Sequence, residues 1–168
     1  MSWDAYIDNW LLQKRTETTK YDNCCSSCAI LSKFDGSIWA CSPNFRLLNY
    51  KLDIPDEDSK YSERVYINEA ANLVYTMNHD GKSPNKAGIR ITNKKYLVVR
   101  FDSEAKSMYL RGRLGGACAC MTNLCIIFAS YDDNSIVTSE TEYPFVQNAG
   151  LTNERVESLA DFLRESGF

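Results

Sequence analysis

Seven cysteines, a single histidine and a run of three consecutive carboxylates are the residues of this chain whose types could carry covalent or metal chemistry. Zinc sites want cysteine pairs at C-x2-C spacing, and only Cys25 and Cys28 show it; Cys118 and Cys120 have the alternating spacing that points two strand side chains to one face. His79 lies near neither group in sequence and sits in a polar turn beside Asp80 and Gly81, so a Ser-His-Asp or Cys-His site would rest on it alone. The cysteines, Cys24 and Cys125 among them, therefore read as small apolar residues carrying free thiols, as a reducing compartment would keep them. Cys41 and Arg46 are one residue short of a C-x5-R phosphatase loop. Gly112-Arg113-Leu114-Gly115-Gly116 lacks the Gly-Lys-Ser/Thr ending of a phosphate loop and falls between strand-like runs, so it reads as a turn or bulge. Asp56-Glu57-Asp58 lacks the alternation of a calcium loop and reads as a solvated charge run. No enzyme motif survives, and no metal or cofactor is implied.

The elements that position these residues follow from periodicity. Ser2 is placed to cap a helix with Trp3, Tyr6, Ile7, Trp10 and Leu11 on one face. Residues 13–23 are polar and aperiodic and read as a loop. Cys28 to Leu31 and Ser37 to Ala40 flank Asp35-Gly36, a hairpin signal. Residues 49–66, with five carboxylates around Pro55, read as an exposed acidic insert, a mobile arm or a hairpin. Helical spacing returns from Ile67 to Met77, ended by His79-Asp80-Gly81. Strand-like runs follow at Gly88 to Ile91, Tyr96 to Phe101, Met108 to Arg113, Ala117 to Met121 and Leu124 to Tyr131, with links short enough to make neighbours antiparallel. A last helix presents Val156, Leu159, Ala160 and Leu163 on one face. The simplest packing is α+β, an antiparallel sheet with the terminal helices on one face.

Length and composition bound the function. At 168 residues with 44% hydrophobic and 24% charged residues, the chain reads as one domain able to fold on its own core, removing roughly 70% of its unfolded surface from water. No apolar run reaches the length of a membrane span, and the first residues lack the basic-then-apolar order of a secretion signal. Nineteen basic against twenty-two acidic residues disfavour general nucleic-acid binding.

What stands out is aromatic placement. Trp3 and Tyr6 share a helix face, Trp39 closes a hairpin strand, and Phe168 follows the helix presenting Leu163; side-by-side terminal helices would bring these rings to one surface. Trp10 reads as glue between helix and sheet. Here the residues resemble a family. Met1-Ser2-Trp3-Asp4-Ala5-Tyr6, the stretch Cys28 to Leu31 through Asp35 to Ala40, Lys95-Tyr96-Leu97-Val98-Val99-Arg100, Leu110 to Gly116 and the stretch Val156 to Phe168 look, in that order, like profilin. The stretch from Val65 to Ala70 after an acidic insert further resembles profilins of apicomplexan parasites and their alveolate relatives.

The resemblance implies a central antiparallel sheet with the N- and C-terminal helices packed together on one face and a smaller helix on the other, in a single domain over residues 1–168 with an insert at about 49–66. It implies an actin-monomer-binding protein that also takes proline-rich segments of actin-assembly factors such as formins, without catalysis or cofactor, monomeric, cytoplasmic and cytoskeleton-associated. By position, Trp3, Tyr6, Trp39, Leu163 and Phe168 would hold the proline-rich ligand. A polyproline II helix has no internal hydrogen bonds, so its carbonyls can accept from indole N–H or phenol O–H while its rings lie on flat aromatics. Phe168 stands where the family usually has tyrosine, which keeps the platform and removes one donor. Lys95, Arg100, Arg111, Arg113 and Asn153 would grip actin, guanidinium being suited to carboxylate, and Glu154 stands where many relatives carry a base. Phosphoinositides, a further family ligand, would reuse Arg111 and Arg113, weakly given the overall acidity. Two other classes fit the coarse element order: a sensor or trafficking scaffold with a PAS-, GAF- or longin-like sheet, which would show a small-molecule pocket or a GTPase partner, and a cysteine-based redox or zinc protein, against which the cysteine spacing argues.

Overall fold

A computed structural model describes residues 2–12, 21–58, 60–140 and 142–168. Ser2 caps α1 (Trp3–Tyr6), its hydroxyl accepting from the Ala5 N–H at 3.3 Å. The chain then winds wider, into a π-helical turn over Ile7–Leu11 closed by the Leu12 N–H on the Ile7 carbonyl at 2.9 Å. The strands are β1 (Tyr21–Asp22), β2 (Ser27–Ser32), β3 (Ile38–Cys41), β4 (Asn49–Pro55), β5 (Ser62–Asn68), β6 (Ile89–Ile91), β7 (Lys94–Asp102), β8 (Ser107–Arg111), β9 (Gly115–Met121), β10 (Cys125–Asp132), β11 (Ile136–Ser139) and β12 (Phe145–Val146). Two more helices, α2 (Glu69–Asn78) and α3 (Ala149–Glu165), start at the side-chain caps Asn68 and Asn148.

Among the described residues seven strands form one antiparallel sheet in the order β3-β2-β10-β9-β8-β7-β6. Its faces are covered separately. On one, Cys28, Ile30, Cys118, Cys120 and Ile127 meet Ile7, Leu11, Val156, Leu159 and Leu163 of the terminal helical segments. On the other, Leu31, Ala119, Ile126 and Phe128 meet Leu73 and Met77 of α2. Because both faces are buried, the central strands β9 and β10 are apolar along almost their whole length, and alternate residues feed opposite cores. Each fully buried leucine or isoleucine contributes roughly 1.5–3 kcal/mol of transfer free energy. The α+β arrangement expected from the sequence is the one observed.

Of the two forms expected for the acidic insert at 49–66 the hairpin is the one observed, β4 on β5, registered from Asn49–Asn68 to Pro55–Ser62. Several local readings change. Ile67 is a strand residue paired with Tyr50, so α2 begins only at Glu69. The loop read over 13–23 falls outside the described residues at 13–20, and Tyr21–Asp22 pairs with β11 as a strand. The Asp35-Gly36 turn is present, with Gly36 at φ +71° and the Asp35 carboxylate accepting from the Ser37 N–H. In Gly112–Gly116 the Gly112 N–H closes a turn on the Gly115 carbonyl at 2.7 Å. A Cβ at Gly115 or Gly116 would run into the Tyr131 carbonyl or hydroxyl, so these glycines serve strand packing against Tyr131.

The thiols of Cys24, Cys25, Cys28, Cys118, Cys120 and Cys125 are buried, and Cys41 is half-buried. Burial pushes the Cys24 thiol up to about 11 and raises Cys118 well above the ordinary range, which is the chemistry of packing groups and not of nucleophiles.

Candidate functional site: an aromatic surface and a basic strand face

The helical segments at the two ends of the chain meet over the sheet and bring their rings together. Trp3 is the centre of the group, with ring centroids 5.7 Å from Tyr6, 4.9 Å from Trp39 and 5.2 Å from Phe168, the last edge-on. Three elements supply these rings: α1, the edge strand β3, and the residue beyond α3. Phe168 is held by a Schellman motif. Gly167 adopts φ +91°, its N–H donates to the Arg164 carbonyl at 3.1 Å, and the Phe168 N–H reaches back to the Leu163 carbonyl at 2.9 Å. That reversal folds the Phe168 ring onto Trp3.

Of the five residues expected on this surface, four are half-buried rings and the fifth differs. Leu163 is fully buried in the core that these rings cover, so it supports the platform from below and offers no contact surface of its own. Sequence reasoning missed Phe162, which is 38% exposed and lies 6.1 Å from Tyr6 and 5.1 Å from Trp10. Its neighbour Leu163 held the periodic core position, and a flanking aromatic on a helix has no spacing signal of its own. The donors are divided as well. Trp10 spends its indole N–H on the Ser158 hydroxyl at 3.0 Å, consistent with a packing role. The indole N–H groups of Trp3 and Trp39 and the Tyr6 hydroxyl have no hydrogen-bond partner among the described residues. A half-buried aromatic cluster with three unspent donors can hold an extended, acceptor-rich ligand.

The basic residues lie on β7 and β8 and their turn. Strict alternation along β7 would put Lys95 and Leu97 on one face and Arg100 on the other. The register shifts between Val98 and Arg100, so Leu97 pairs with Arg111 and Arg100 with Tyr109. The bulge at Val99 thus returns Arg100 to the face of Leu97 and Arg111. Arg100 lies over the Tyr109 ring, 5.8 Å from its centroid, and pairs with Asp102 at 3.4 Å. Arg111 makes two bonds to Asp133, at 3.0 and 2.6 Å, which hold the Asp133 carboxyl below the usual carboxylate range and raise the guanidinium. Arg113 and Lys95 are exposed without an ion pair among the described residues. They flank a cleft of about 400 Å³ with Lys94 and Leu114 at its walls and Tyr96 and Tyr131 along it. Tyr96 is pushed up to about 12 by burial. Exposed Leu97, Val99 and Leu114, at 64%, 68% and 64%, add apolar area between the charges.

Asn153 lies on α3 one turn before Glu157, whose carboxylate accepts the Tyr109 hydroxyl. Burial and that carboxylate both raise the Tyr109 phenol. This contact ties α3 to the strand that carries Arg111. Lys94 and Leu97 escaped the sequence reading; alternation from Lys95 would have found Leu97. A mixed apolar and cationic face of this kind suits an acidic protein surface.

Comparison with known proteins gives one answer throughout. The profilin family model matches residues 1–168. A profilin of Tetrahymena pyriformis is 32% identical over 169 residues, covering 99% of this chain and 98% of that relative. Profilin-3 of Dictyostelium discoideum is 29% identical over 168 residues, covering 100% of both. Among solved structures, Acanthamoeba castellanii profilin II shares the fold with a TM-score of 0.66 at 21% identity, over 99% of this chain and 100% of that one. Mouse profilin IIa, solved in complex with a double repeat from the FH1 domain of mDia1, shares it with a TM-score of 0.59 at 18% identity, over 100% of both. With the sheet order, the packed terminal helices and a match along its whole length, the chain belongs to the profilin family.

Proposed function

We propose that this profilin regulates actin filament assembly by binding actin monomers and proline-rich ligands on two separate surfaces. Trp3, Tyr6, Trp39 and Phe168, supported from below by Leu163 and extended by Phe162, take the proline-rich segment. Lys95, Arg100, Arg111, Arg113 and Asn153, with Lys94 and Leu97, take actin. The observation that carries the reading is the convergence of four rings from three elements, with two indole N–H groups and a phenol unspent. The mouse profilin IIa complex with an FH1 double repeat supports a formin-type segment as the proline-rich ligand.

The chemistry is recognition and not catalysis. A polyproline II segment arrives already extended, so little ordering entropy opposes its laying prolines on the rings and carbonyls on the donors. On the basic strand surface the guanidinium groups find carboxylates, and Leu97 and Leu114 supply apolar contact. Arg111 and Arg113 also offer weak phosphoinositide contacts. The protein acts as a cytosolic monomer, a single domain from which the β4–β5 hairpin projects as an insert. No helix among the described residues is long and apolar enough to cross a membrane.

Calorimetric titration with a proline decamer and, separately, with monomeric actin tests the reading. Saturable binding of both is expected; heat from neither ligand at millimolar peptide and tens of micromolar actin would overturn it.

A further inference from the structure

Glu69 is the first residue of α2 and is fully buried, yet its carboxylate has four hydrogen-bond donors. Oε1 accepts from the backbone N–H of Leu48 at 2.9 Å and of Thr92 at 2.8 Å. Oε2 accepts from the Tyr50 hydroxyl at 2.8 Å and the Asn93 N–H at 2.9 Å. Two of these donors belong to the chain entering the β4–β5 hairpin; the other two are consecutive amides of the turn joining β6 to β7.

That turn has reason to need support. Ile91 pairs with Lys94, which leaves Thr92 and Asn93 as a two-residue loop, and both have positive φ, +52° and +60°. Asparagine tolerates this region, but a β-branched threonine is an outlier there. A buried carboxylate that receives both amides compensates the strain, because charge-assisted bonds in a dry site are strong and costly to leave unmade. Arg90 closes the group, donating to the Tyr50 hydroxyl at 2.9 Å and to the Asn93 side-chain carbonyl at 3.0 Å. The next residues in the chain are Lys94 and Lys95.

We infer that Glu69 is a positioning residue for actin binding: it fixes the strained Thr92–Asn93 turn, and through it Lys94 and Lys95, while tying the base of the β4–β5 hairpin to the same edge. The inference rests on the assignment of Lys95 to the actin surface proposed above. Glu69 touches no ligand itself and acts through the turn. The aromatic surface lies across the sheet and does not depend on it.

Actin affinity of Glu69→Gln, Lys95→Glu and the wild type, measured beside proline-decamer affinity and amide exchange, tests this. Glu69→Gln sets a side-chain N–H₂ against backbone donors, so the Thr92 and Asn93 amides should exchange faster and actin should bind about ten-fold more weakly, with decamer affinity within two-fold of wild type. Glu69→Asp keeps the charge on a shorter stem and should give a smaller loss of the same sign should the glutamine variant fail to fold. Placing Asn-Gly in the turn (Thr92→Asn with Asn93→Gly), a pair that adopts this turn unaided, should restore actin affinity to Glu69→Gln, which a merely structural role would not allow. Weakening by Lys95→Glu but not by either Glu69 variant overturns the inference alone. No weakening by any of the three overturns the assignment of the surface and the inference with it.

Discussion

The guanidinium of Arg100 lies over the ring of Tyr109, 5.8 Å from its centroid, and it does so because Val99 bulges out of β7. One inserted residue reverses the facing of everything after it, so a basic residue five places from Lys95 joins it on one side of the sheet. Tyr109 in turn donates to Glu157 of α3, and so the strand that presents cations is held by the helix that carries Asn153. The basic face is therefore built on sheet and helix together.

Charge reversal at Arg111 and Arg113 together should weaken actin sequestration at least ten-fold while leaving oligoproline affinity within two-fold. The two surfaces share no residues, and distant sites behave nearly additively. Inhibition of pyrene-actin assembly at two ionic strengths reads the effect, which should shrink at high salt because these side chains are exposed. Unchanged inhibition with a native circular dichroism spectrum would remove both arginines from the actin surface.

Trp3→Ala should nearly abolish oligoproline binding, since it removes the ring that touches Tyr6, Trp39 and Phe168, and central aromatics at such surfaces are worth about 2 kcal/mol or more. Phe162→Ala should cost less, and Ser158→Ala, which removes the partner of the Trp10 indole, should leave affinity unchanged. Tryptophan fluorescence during titration with a proline decamer distinguishes the three variants.

Gly167→Ala should reduce oligoproline affinity several-fold without unfolding the chain. A Cβ there meets no neighbour, so the cost is conformational, about 1 kcal/mol for an alanine forced to the left-handed region, and it loosens the Schellman motif that presents Phe168. Equal affinity in the variant would show that the Phe168 ring is dispensable.

Alkaline conditions should destabilise the fold through its buried thiols. For Cys24 the folded value, about 11, lies above the ordinary 9.0, so the folded state binds the proton more tightly. Its contribution is fully present below about pH 9 and is lost as pH rises toward 11, at no more than roughly 1.4 kcal/mol per pH unit for each such thiol. Thermal melts between pH 8 and 11 should show a steeper fall for the wild type than for Cys24→Ala; parallel curves would contradict the burial argument.

How much of this was legible in the sequence depends on whether the signal was local. The core stripe Val156, Leu159, Ala160 and Leu163 and the single-face spacing of Cys118 and Cys120 could be read directly, because a buried face imposes its period. The β4–β5 hairpin is also written in the chain, since Tyr50, Leu52 and Ile54 alternate with polar residues ahead of the carboxylates around Pro55, the period of a strand beside an arm's composition. Ile67 read as helical because its apolar neighbours permit either period, and only its pairing with Tyr50 decides for a strand. The widened turn at Ile7–Leu11 has the same apolar spacing as an α-helix, and strands as short as Tyr21–Asp22 or Phe145–Val146 have no period to detect. Nothing local announces that Glu69 meets Thr92 and Asn93 across more than twenty residues.

The central claim is that the aromatic and basic surfaces work independently in one molecule. Anisotropy of a fluorescent proline decamer, titrated with the protein alone and with the protein saturated by monomeric actin, tests it most directly. Two separate surfaces predict the same dissociation constant within two-fold and a higher limiting anisotropy for the larger ternary complex. Displacement of the decamer by actin, seen as a fall toward the free-peptide value, would contradict the account.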